Sequence, residues 1–418
     1  MTDAKTAKLR IWQLTIGEPI PQDGDDVRLH RAGQMCAWLA ERGHHATFIN
    51  SSFYHQKREQ RYEETTSLNI NENFDVVCLK ARPYGRSISF SRFASHRDAA
   101  DSFRRWLNTD PAQPDIIIAS YPVVELCAAA VEYARPRGIP VIMDCRDFWP
   151  DIFVEILPRP LRWIGKSIFA PFESQARKTL SLANSITGHT KSARDWGLAK
   201  AGRVPTDTDF HFPFSYPTIQ PEHRSQMSDK DVEDNLLNIC FLGTLSHRSN
   251  LEMFIEALGS LPYSLGEKIQ LHIAGTGPHL TMLTKLAQQH GAPVTFHGWL
   301  DQADMIALMN RCDFGLLPYN RSDFHISLPN KFIEYLAGGL PVLSCTEGEV
   351  ETFMKENSCG IWVAPQKDKI ARSLKGLIDN KPHYNADMIY NVFSKHFTPD
   401  AVFSFVEGHL LKLSGKSK

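Results

Sequence analysis

The segment Ser327 to Ser344, SLPNKFIEYLAGGLPVLS, holds residues spaced to grip a nucleotide. Pro329 precedes a helical pattern, so the spacing predicts a helix that begins at Asn330. The first amides of a helix lack intrahelical partners and carry the positive end of its dipole, which suits a phosphate. Lys331 falls in that first turn, where a cation opposes the dipole unless an anion sits beside it. Glu334 comes one turn later, near the face of Asn330. A carboxylate there can accept two hydrogen bonds from the vicinal hydroxyls of a ribose. Gly338, Gly339 and Pro341 then stop the helix and feed a strand. An ordinary helix with surface charges would carry the same residues.

A second cluster is MDCRDFWPD, Met143 to Asp151, which follows an apolar run. Asp144, Arg146 and Asp147 fall at the carboxyl end of a predicted strand. The acids and the guanidinium offer acceptors and donors to sugar hydroxyls, and Trp149 offers an apolar face. A structural ion pair is the alternative. In the loop TIGEPIPQDGDDVRLHRAG, Gly17 lets backbone approach a ligand, and Arg28 and Arg31 add positive charge near a phosphate. A long surface loop is the alternative there. Asp207-Thr208-Asp209 matches a D-x-D metal string but sits just before a linker rather than after a core strand, so no metal site is expected.

These residues need elements to position them. Strands are predicted at Leu9–Leu14, Ala46–Asn50, Val76–Leu79, Ile116–Ser120 and Val141–Asp144, with helices at Leu29–Arg42 and Val123–Ala134. From Phe210 to Glu233 three prolines and a polar, charged run signal a linker. Alternation restarts with strands at Leu237–Leu242, Gln270–Ala274, Val294–Phe296, Phe314–Leu317, Val342–Ser344 and Gly360–Val363. The helices of that half are predicted at Leu251–Leu258, His279–His290, Gln302–Asn310 and Lys331–Ala337. The reading is α/β, two Rossmann-like domains facing a cleft. The first spans 1–215, a linker 216–235 and the second 236–395; a last helix in 396–418 is a candidate to pack back on the first. Ligands of such sheets lie beyond the carboxyl ends of the strands, so the loops after each strand are where site residues belong.

The formal net charge of the 418 residues is -1, which argues against a nucleic-acid partner held by bulk electrostatics. The eight cysteines are scattered without a C-x-x-C pair and read as small buried hydrophobes. The N-terminus lacks a stretch of signal-peptide type, and no run approaches the roughly 18 apolar residues of a spanning helix, so a cytoplasmic location is expected. RPLRWIGKSIFAPFESQARK, Arg159 to Lys178, is basic and aromatic at helical spacing. It fits either a peripheral contact with a membrane surface or a core-facing helix.

Glu334 to Val342, EYLAGGLPV, resembles the E-A-x-A-x-G-x-P-V element of retaining glycosyltransferases with the GT-B fold, family 4, in the subgroup whose donor-binding helix starts Pro-Asn-Lys. FLGTLSHRSNLE, IAGTGPH, VTFHGWL, CDFGLLPY and GEVETFMKENSCGIWV follow in that family's order. The resemblance implies that Glu334 holds the donor ribose and that Arg248 meets the donor diphosphate. It implies that Gly275 and Gly277 form the donor-side glycine loop, and that Gly298 and Trp299 lie against the donor base. It implies that the Gly17 loop touches donor phosphate and acceptor. The D-x-R-D-x-W-P string also occurs in some sugar-nucleotide transferases of that family, with Arg146 the candidate donor contact and Asp147 the group that orients the acceptor. RGHHATF resembles a segment in which His44 and His45 are structural.

The resemblance further implies retention of anomeric configuration. The helix dipole, Arg248 and Lys331 would stabilise the leaving diphosphate without a metal, and no cofactor is implied beyond the nucleotide-sugar substrate. It points to a UDP-sugar donor, a glycan or lipid-linked acceptor, and polysaccharide, capsule or lipopolysaccharide assembly. The family usually carries another glutamate eight residues before Glu334, and here that residue is Ile326. Asp323 and His325 lie close enough in sequence to substitute for it, or are plain loop residues. A sugar-nucleotide epimerase on the same fold and a non-catalytic nucleotide-binding scaffold are the alternatives.

Overall fold

Short runs rich in Ile and Val become the parallel strands of two sheets. In the computed structural model, which describes residues 7–24, 27–85, 89–155, 157–218, 236–319 and 327–416, the chain divides into two units. Met1–Pro213 with Val402–Lys418 form one, and Phe214–Ala401 the other. Of the predicted linker, residues 219–235 lie outside the described residues.

The strands of the first unit are β1 (Arg10–Leu14), β2 (His45–Ser51), β3 (Phe53–Tyr54), β4 (Glu59–Gln60), β5 (Thr66–Asn71), β6 (Phe74–Leu79), β7 (Ile116–Tyr121), β8 (Val141–Cys145) and β9 (Ser185–Gly188). Its helices are α1 (Arg31–Glu41), α2 (Phe90–Leu107), α3 (Val124–Ala134), α4 (Asp151–Glu155), α5 (Arg162–Ser181) and α6 (Lys191–Ala201). The main sheet runs β5-β6-β2-β1-β7-β8-β9, parallel except for β5, which pairs antiparallel with β6. Every residue of β7 is buried, as a central strand covered on both faces must be. Strand β5 alternates between half-buried and exposed, the pattern of an edge. Trp12 of β1 stacks on Tyr133 at 5.3 Å and meets Phe103 edge-on at 6.2 Å.

The carboxyl-terminal helix Pro399–Leu413 completes this unit from Val402 onward. Phe403, Val406 and Leu410 are buried in one cluster with Leu9, Ile11, Trp38 and Phe210. His44 ties that helix down: its Nδ1 accepts from the Leu9 amide at 3.1 Å, and its Nε2 lies 2.8 Å from Glu407 Oε1. Burial alone would raise the Glu407 carboxyl, but hydrogen bonds from His44 and Arg42 bring it below its ordinary range.

The second unit contains β10 (Leu237–Leu242), β11 (Ile269–Ala274), β12 (Val294–Gly298), β13 (Phe314–Leu317), β14 (Val342–Ser344) and β15 (Gly360–Trp362). They form a parallel sheet in the order β12-β11-β10-β13-β14-β15. Its helices are α7 (Leu251–Gly259), α8 (Tyr263–Gly266), α9 (Leu280–His290), α10 (Gln302–Arg311), α11 (Asn330–Ala337), α12 (Glu349–Asn357), α13 (Lys367–Asp379) and α14 (Ala386–His396). Strand order reverses between β1 and β7 in the first unit and between β10 and β13 in the second. Such reversals leave a crevice at the carboxyl ends of the flanking strands. All eight cysteines are buried and free. Among the described residues no helix is long and apolar enough to cross a membrane.

One buried base makes the first unit sensitive to acid. His96 of α2 is fully buried, stacks on Trp149 at 5.7 Å, and neither of its ring nitrogens has a hydrogen-bond partner among the described residues. Burial, then the charge of Arg92, pushes it down to about 3. A base whose folded value lies below its unfolded value favours folding above the unfolded value, and that stability is lost as pH falls toward the folded one. Between about pH 7 and about pH 5 the loss is about 2 kcal/mol. His96→Phe, which replaces the imidazole with a ring that cannot be protonated, is expected to reduce the fall in unfolding free energy between those pH values, read by urea titration, by about 2 kcal/mol. An unchanged slope would refute the assignment.

Candidate functional site

The donor-side candidates converge at the carboxyl ends of β10, β11 and β12. The backbone after these strands is stitched together. Gly243 N–H donates to Ala274 O at 2.9 Å, Leu245 N–H to Thr276 O at 2.9 Å, and Gly275 N–H to Gly298 O at 2.6 Å. This contact is possible only without side chains. A Cβ on Gly275 would lie 1.8 Å from the Gly243 carbonyl oxygen, and one on Gly277 would lie 2.2 Å from that of Leu245. Trp299, next in the chain after Gly298, is 74% exposed.

Helix α11 starts beside these loops. Pro329 precedes it as N-cap residue and has no side-chain oxygen to cap its amides. Phe332, Ile333, Tyr335 and Leu336 are buried, and the Tyr335 hydroxyl accepts from the Leu242 amide at 3.0 Å, which fixes the helix against the end of β10. Lys331 is half-buried, with its Cε 3.9 Å from where a Gly243 Cβ would stand. Its Nζ lies 2.5 Å from Glu334 Oε2. The other carboxylate oxygen accepts from the Tyr216 hydroxyl at 2.7 Å. Glu334 is thus a buried acid with a cation on one side and a neutral donor on the other, and each oxygen keeps a further lone pair. Asn330 is exposed at the helix start. Arg248, also exposed, and Glu334 both act electrostatically on Tyr319, which burial pushes up to about 12. The structure therefore brings Arg248, Gly275, Gly277, Gly298, Trp299, Asn330, Lys331 and Glu334 to one edge of the second sheet. Asp323, His325 and Ile326 lie outside the described residues.

Sequence reasoning missed Tyr216, because it sits in a proline-rich stretch read as linker. Its amide donates to Phe397 O at 2.9 Å, which anchors it within the second unit. Tyr319, at the end of the CDFGLLPY motif, was within reach of that motif's alignment.

The first unit corrects several assignments. Asp144 is not open to a ligand: it is buried, and both of its oxygens accept from Arg31 Nη1 at 2.9 Å. Arg31 is equally committed. Its Nη2 donates to Phe212 O at 3.0 Å, its guanidinium lies 3.5 Å from the Phe212 ring centre, and burial lowers it to about 10. A buried carboxylate requires such a partner, and the pair is the structural alternative named above. Trp149 is only 3% exposed, with the Arg92 guanidinium 4.6 Å from its ring centre and His96 stacked on it, so it offers no face to a sugar.

Asp147 is exposed beside this network, and Arg146 is half-buried within it. Arg146 Nη1 donates to the Glu18 carboxylate and to Thr15 Oγ1 at 3.3 Å, and its Nε lies 3.6 Å from Asp144. Burial works against its charge, but Glu18 and Asp144 more than offset this and raise it. Gly17, left-handed with φ 72°, donates its amide to Ser51 Oγ at 3.1 Å in the same loop as Glu18. Glu18 and Thr15 had no motif to mark them. Arg28 is exposed. Asp207 pairs with Lys412 at 2.6 Å, and Asp209 accepts from the Ile186 amide at 2.7 Å, so both serve the fold. Among the described residues no group of three or more His, Cys, Asp or Glu is placed to hold a metal.

Comparison with known proteins relates both units to families. The family described as Glycosyl transferases group 1 matches residues 223–394, and that described as Glycosyl transferase 4-like domain matches residues 30–186. The solved structure of WaaG, a glycosyltransferase involved in lipopolysaccharide biosynthesis, superposes with a TM-score of 0.59 at 17% identity over 97% of this chain and 99% of WaaG. HepE from Anabaena in complex with UDP gives 0.62 at 13% identity over 96% of this chain and 100% of HepE. The alpha-monoglucosyldiacylglycerol synthase of Streptococcus pneumoniae is 22% identical over 196 residues, which cover 44% of this chain and 42% of that enzyme. The chain spans less than half the length of the curated relatives it matches. The chain has the two Rossmann-like α/β units of the GT-B fold, and each unit carries a match to a family of glycosyltransferase domains.

The glycine stitch carries a direct test. Gly275→Ala would drive a methyl into the Gly243 carbonyl at φ 137°, where L side chains rarely sit. A loss of about 3 kcal/mol or more is expected in urea unfolding. A wild-type midpoint would show that the loops can part.

Proposed function

We propose that this chain is a retaining glycosyltransferase that moves a hexosyl or N-acetylhexosaminyl unit from a UDP-sugar to a glycan or lipid-linked acceptor. The assembly it serves is surface polysaccharide or lipopolysaccharide, and it works in the cytoplasm or peripherally on the inner face of the membrane. The observation that carries this reading is the Lys331–Glu334–Tyr216 constellation at the start of α11, beside the interlocked glycine loops. Its neighbours support it: HepE was solved with UDP, WaaG is involved in lipopolysaccharide biosynthesis, and one relative is an alpha-monoglucosyldiacylglycerol synthase.

In this reading Glu334 accepts the ribose hydroxyls, with Tyr216 and Lys331 setting the orientation of its carboxylate. Lys331, Arg248 and the amides at Asn330 face the diphosphate. Gly275, Gly277 and Gly298 let backbone approach the nucleotide, and Trp299 lies against the base. The donor C1–O bond breaks with its electron pair passing to the UDP phosphate. The acceptor oxygen bonds C1 on the same face, and its proton passes to the leaving phosphate. Fixed positive groups where that charge develops lower the barrier without a metal or a cofactor. On the first unit Asp147 orients the acceptor hydroxyl. Arg146, held by Glu18, is the donor-contact candidate there.

Isothermal titration with UDP and GDP tests the shared premise, with UDP expected to bind more tightly. Glu334→Ala is expected to cost about 1–3 kcal/mol of UDP affinity through lost charged hydrogen bonds. Unchanged affinity would remove the ribose assignment. Incubation with UDP-sugars and a lipid or glycan acceptor, with the product anomer read by NMR, tests the reaction. An inverted anomer would sink retention, and a changed donor sugar without transfer would make the protein an epimerase.

A further inference from the structure

The segment that was open between a core helix and a membrane contact is α5, and its two faces differ. The inner face is packed: Ala176, Thr179 and Leu180 are buried, Phe169 stacks on Phe153 at 5.4 Å, and Phe172 meets Phe93 edge-on at 5.8 Å. The outer face carries large apolar side chains in water. Trp163 is 67% exposed and Ile168 65%, with Ile164 at 37% and Leu161, just before the helix, at 45%. Leu161, Ile164 and Ile168 follow one another at spacings of three and four, so they form one row, and Trp163 lies about 100° further round the helix from Ile164. Isolated exposed apolar residues are ordinary, but a row of three with a large Trp on the next face of the same turn marks a contact surface.

The charges around this row identify the partner. Between Leu157 and Phe172 the chain has three cations, Arg159, Arg162 and Lys166, and no acid. Arg162 is turned back onto the carbonyls of Leu157 and Glu155 at 3.2 and 3.1 Å. Arg159 and Lys166 are exposed, and Lys166 is one turn from Trp163, on the side away from Ile164 and Ile168. A row of Ile and Leu with a Trp, bordered on the Trp163 side by cations with long stems, matches the two layers of an anionic bilayer surface. The apolar side chains enter the acyl boundary, and the cations meet headgroup phosphates. The β8 loop that carries Asp147 is separated from α5 by α4, but Trp149 of that loop packs against Phe153 of α4 at 4.7 Å and Phe172 of α5 at 6.2 Å.

We infer that the outer face of α5 is a membrane-docking surface, with Trp163, Ile164 and Ile168 inserted and Arg159 and Lys166 on anionic headgroups, which sets the β8 loop close to a lipid-linked acceptor. Only the last clause rests on the proposed transfer; the docking stands on α5 itself.

The test uses the full chain and sucrose-loaded vesicles of phosphatidylcholine alone or mixed with phosphatidylglycerol. Co-sedimentation with the mixed vesicles is expected to exceed that with the neutral ones by about tenfold and to weaken with salt. The double variant Trp163→Ser, Ile168→Ser is expected to lose about tenfold in partition. Lys166→Glu is expected to remove most of the preference for phosphatidylglycerol. Far-UV circular dichroism and urea unfolding of the same variants, expected at wild-type values, confirm that the first unit folds, and UDP titration reads the second unit separately. Absence of wild-type binding to either vesicle, or binding that the double variant retains, would overturn the inference. So would self-association of the wild type that the double variant abolishes while vesicles bind neither. Vesicle binding without UDP binding would remove the transfer reading and leave the docking surface in place.

Discussion

The Gly243 carbonyl oxygen stands where a side chain on residue 275 would begin, and the geometry of the donor side depends on that contact. It lets the backbone after β10 lie directly on the backbone after β11, which in turn bonds to the end of β12. Three strand ends then act as one rigid rim. Lys331 reaches that rim because Tyr335 anchors α11 to the Leu242 amide. Removing either restraint would separate the first-turn cation from the loop it faces, and preorganisation of this kind is what makes fixed charges effective.

The parallel strands were legible because they are short, continuous and apolar; the predicted Leu237–Leu242, Phe314–Leu317 and Val342–Ser344 recur with the same ends. Strand β5 is absent from the predicted strands because TSLNIN has only two large apolar residues, Leu68 and Ile70, and its two asparagines are disfavoured in strands and read as loop. Helix α2 was missed because FSRFASHRDAADSFRRWL is dominated by polar and charged residues. That the donor-side candidates come together was legible because they follow one another along ordered motifs, at or after the ends of β10, β11 and β12 and in the first turns of α11. Tyr216 was not, since its partner Glu334 is 118 residues away and no local pattern announces so distant a hydrogen bond.

The β8 motif shows why residue type alone misassigns roles. Asp, Arg and Trp at a strand end suit a sugar, yet two of the three positions are used inward. An acid at the end of a buried parallel strand is desolvated whether or not a ligand comes, so it needs a permanent cation. Arg31 supplies one from α1, itself buried and partnered. That pairing frees Arg146 from neutralising Asp144 alone, and it turns to Glu18 and Thr15 in the β1 loop. The motif therefore joins the loops after β1 and β8, and it leaves Asp147 as the member in contact with solvent.

The same charge logic explains why the donor side carries two exposed or half-exposed cations rather than one. Lys331 is already balanced by Glu334, and a buried carboxylate of that kind cannot be left without a positive neighbour. The pair is close to neutral, so it holds little net attraction for a diphosphate. An arriving anion must either draw Lys331 away from Glu334 or be met by a second cation. Ribose hydroxyls donating to Glu334 compensate the first loss, because they replace hydrogen bonds that the ammonium gave. In the proposed reading Arg248 would fill the second role: it stands in the β10 loop, and its charge acts on Tyr319 together with that of Glu334. Phosphate and ribose would then bind cooperatively, each easing the cost of the other. A nucleoside diphosphate would be favoured over free phosphate or free nucleoside by more than the sum of their separate contacts.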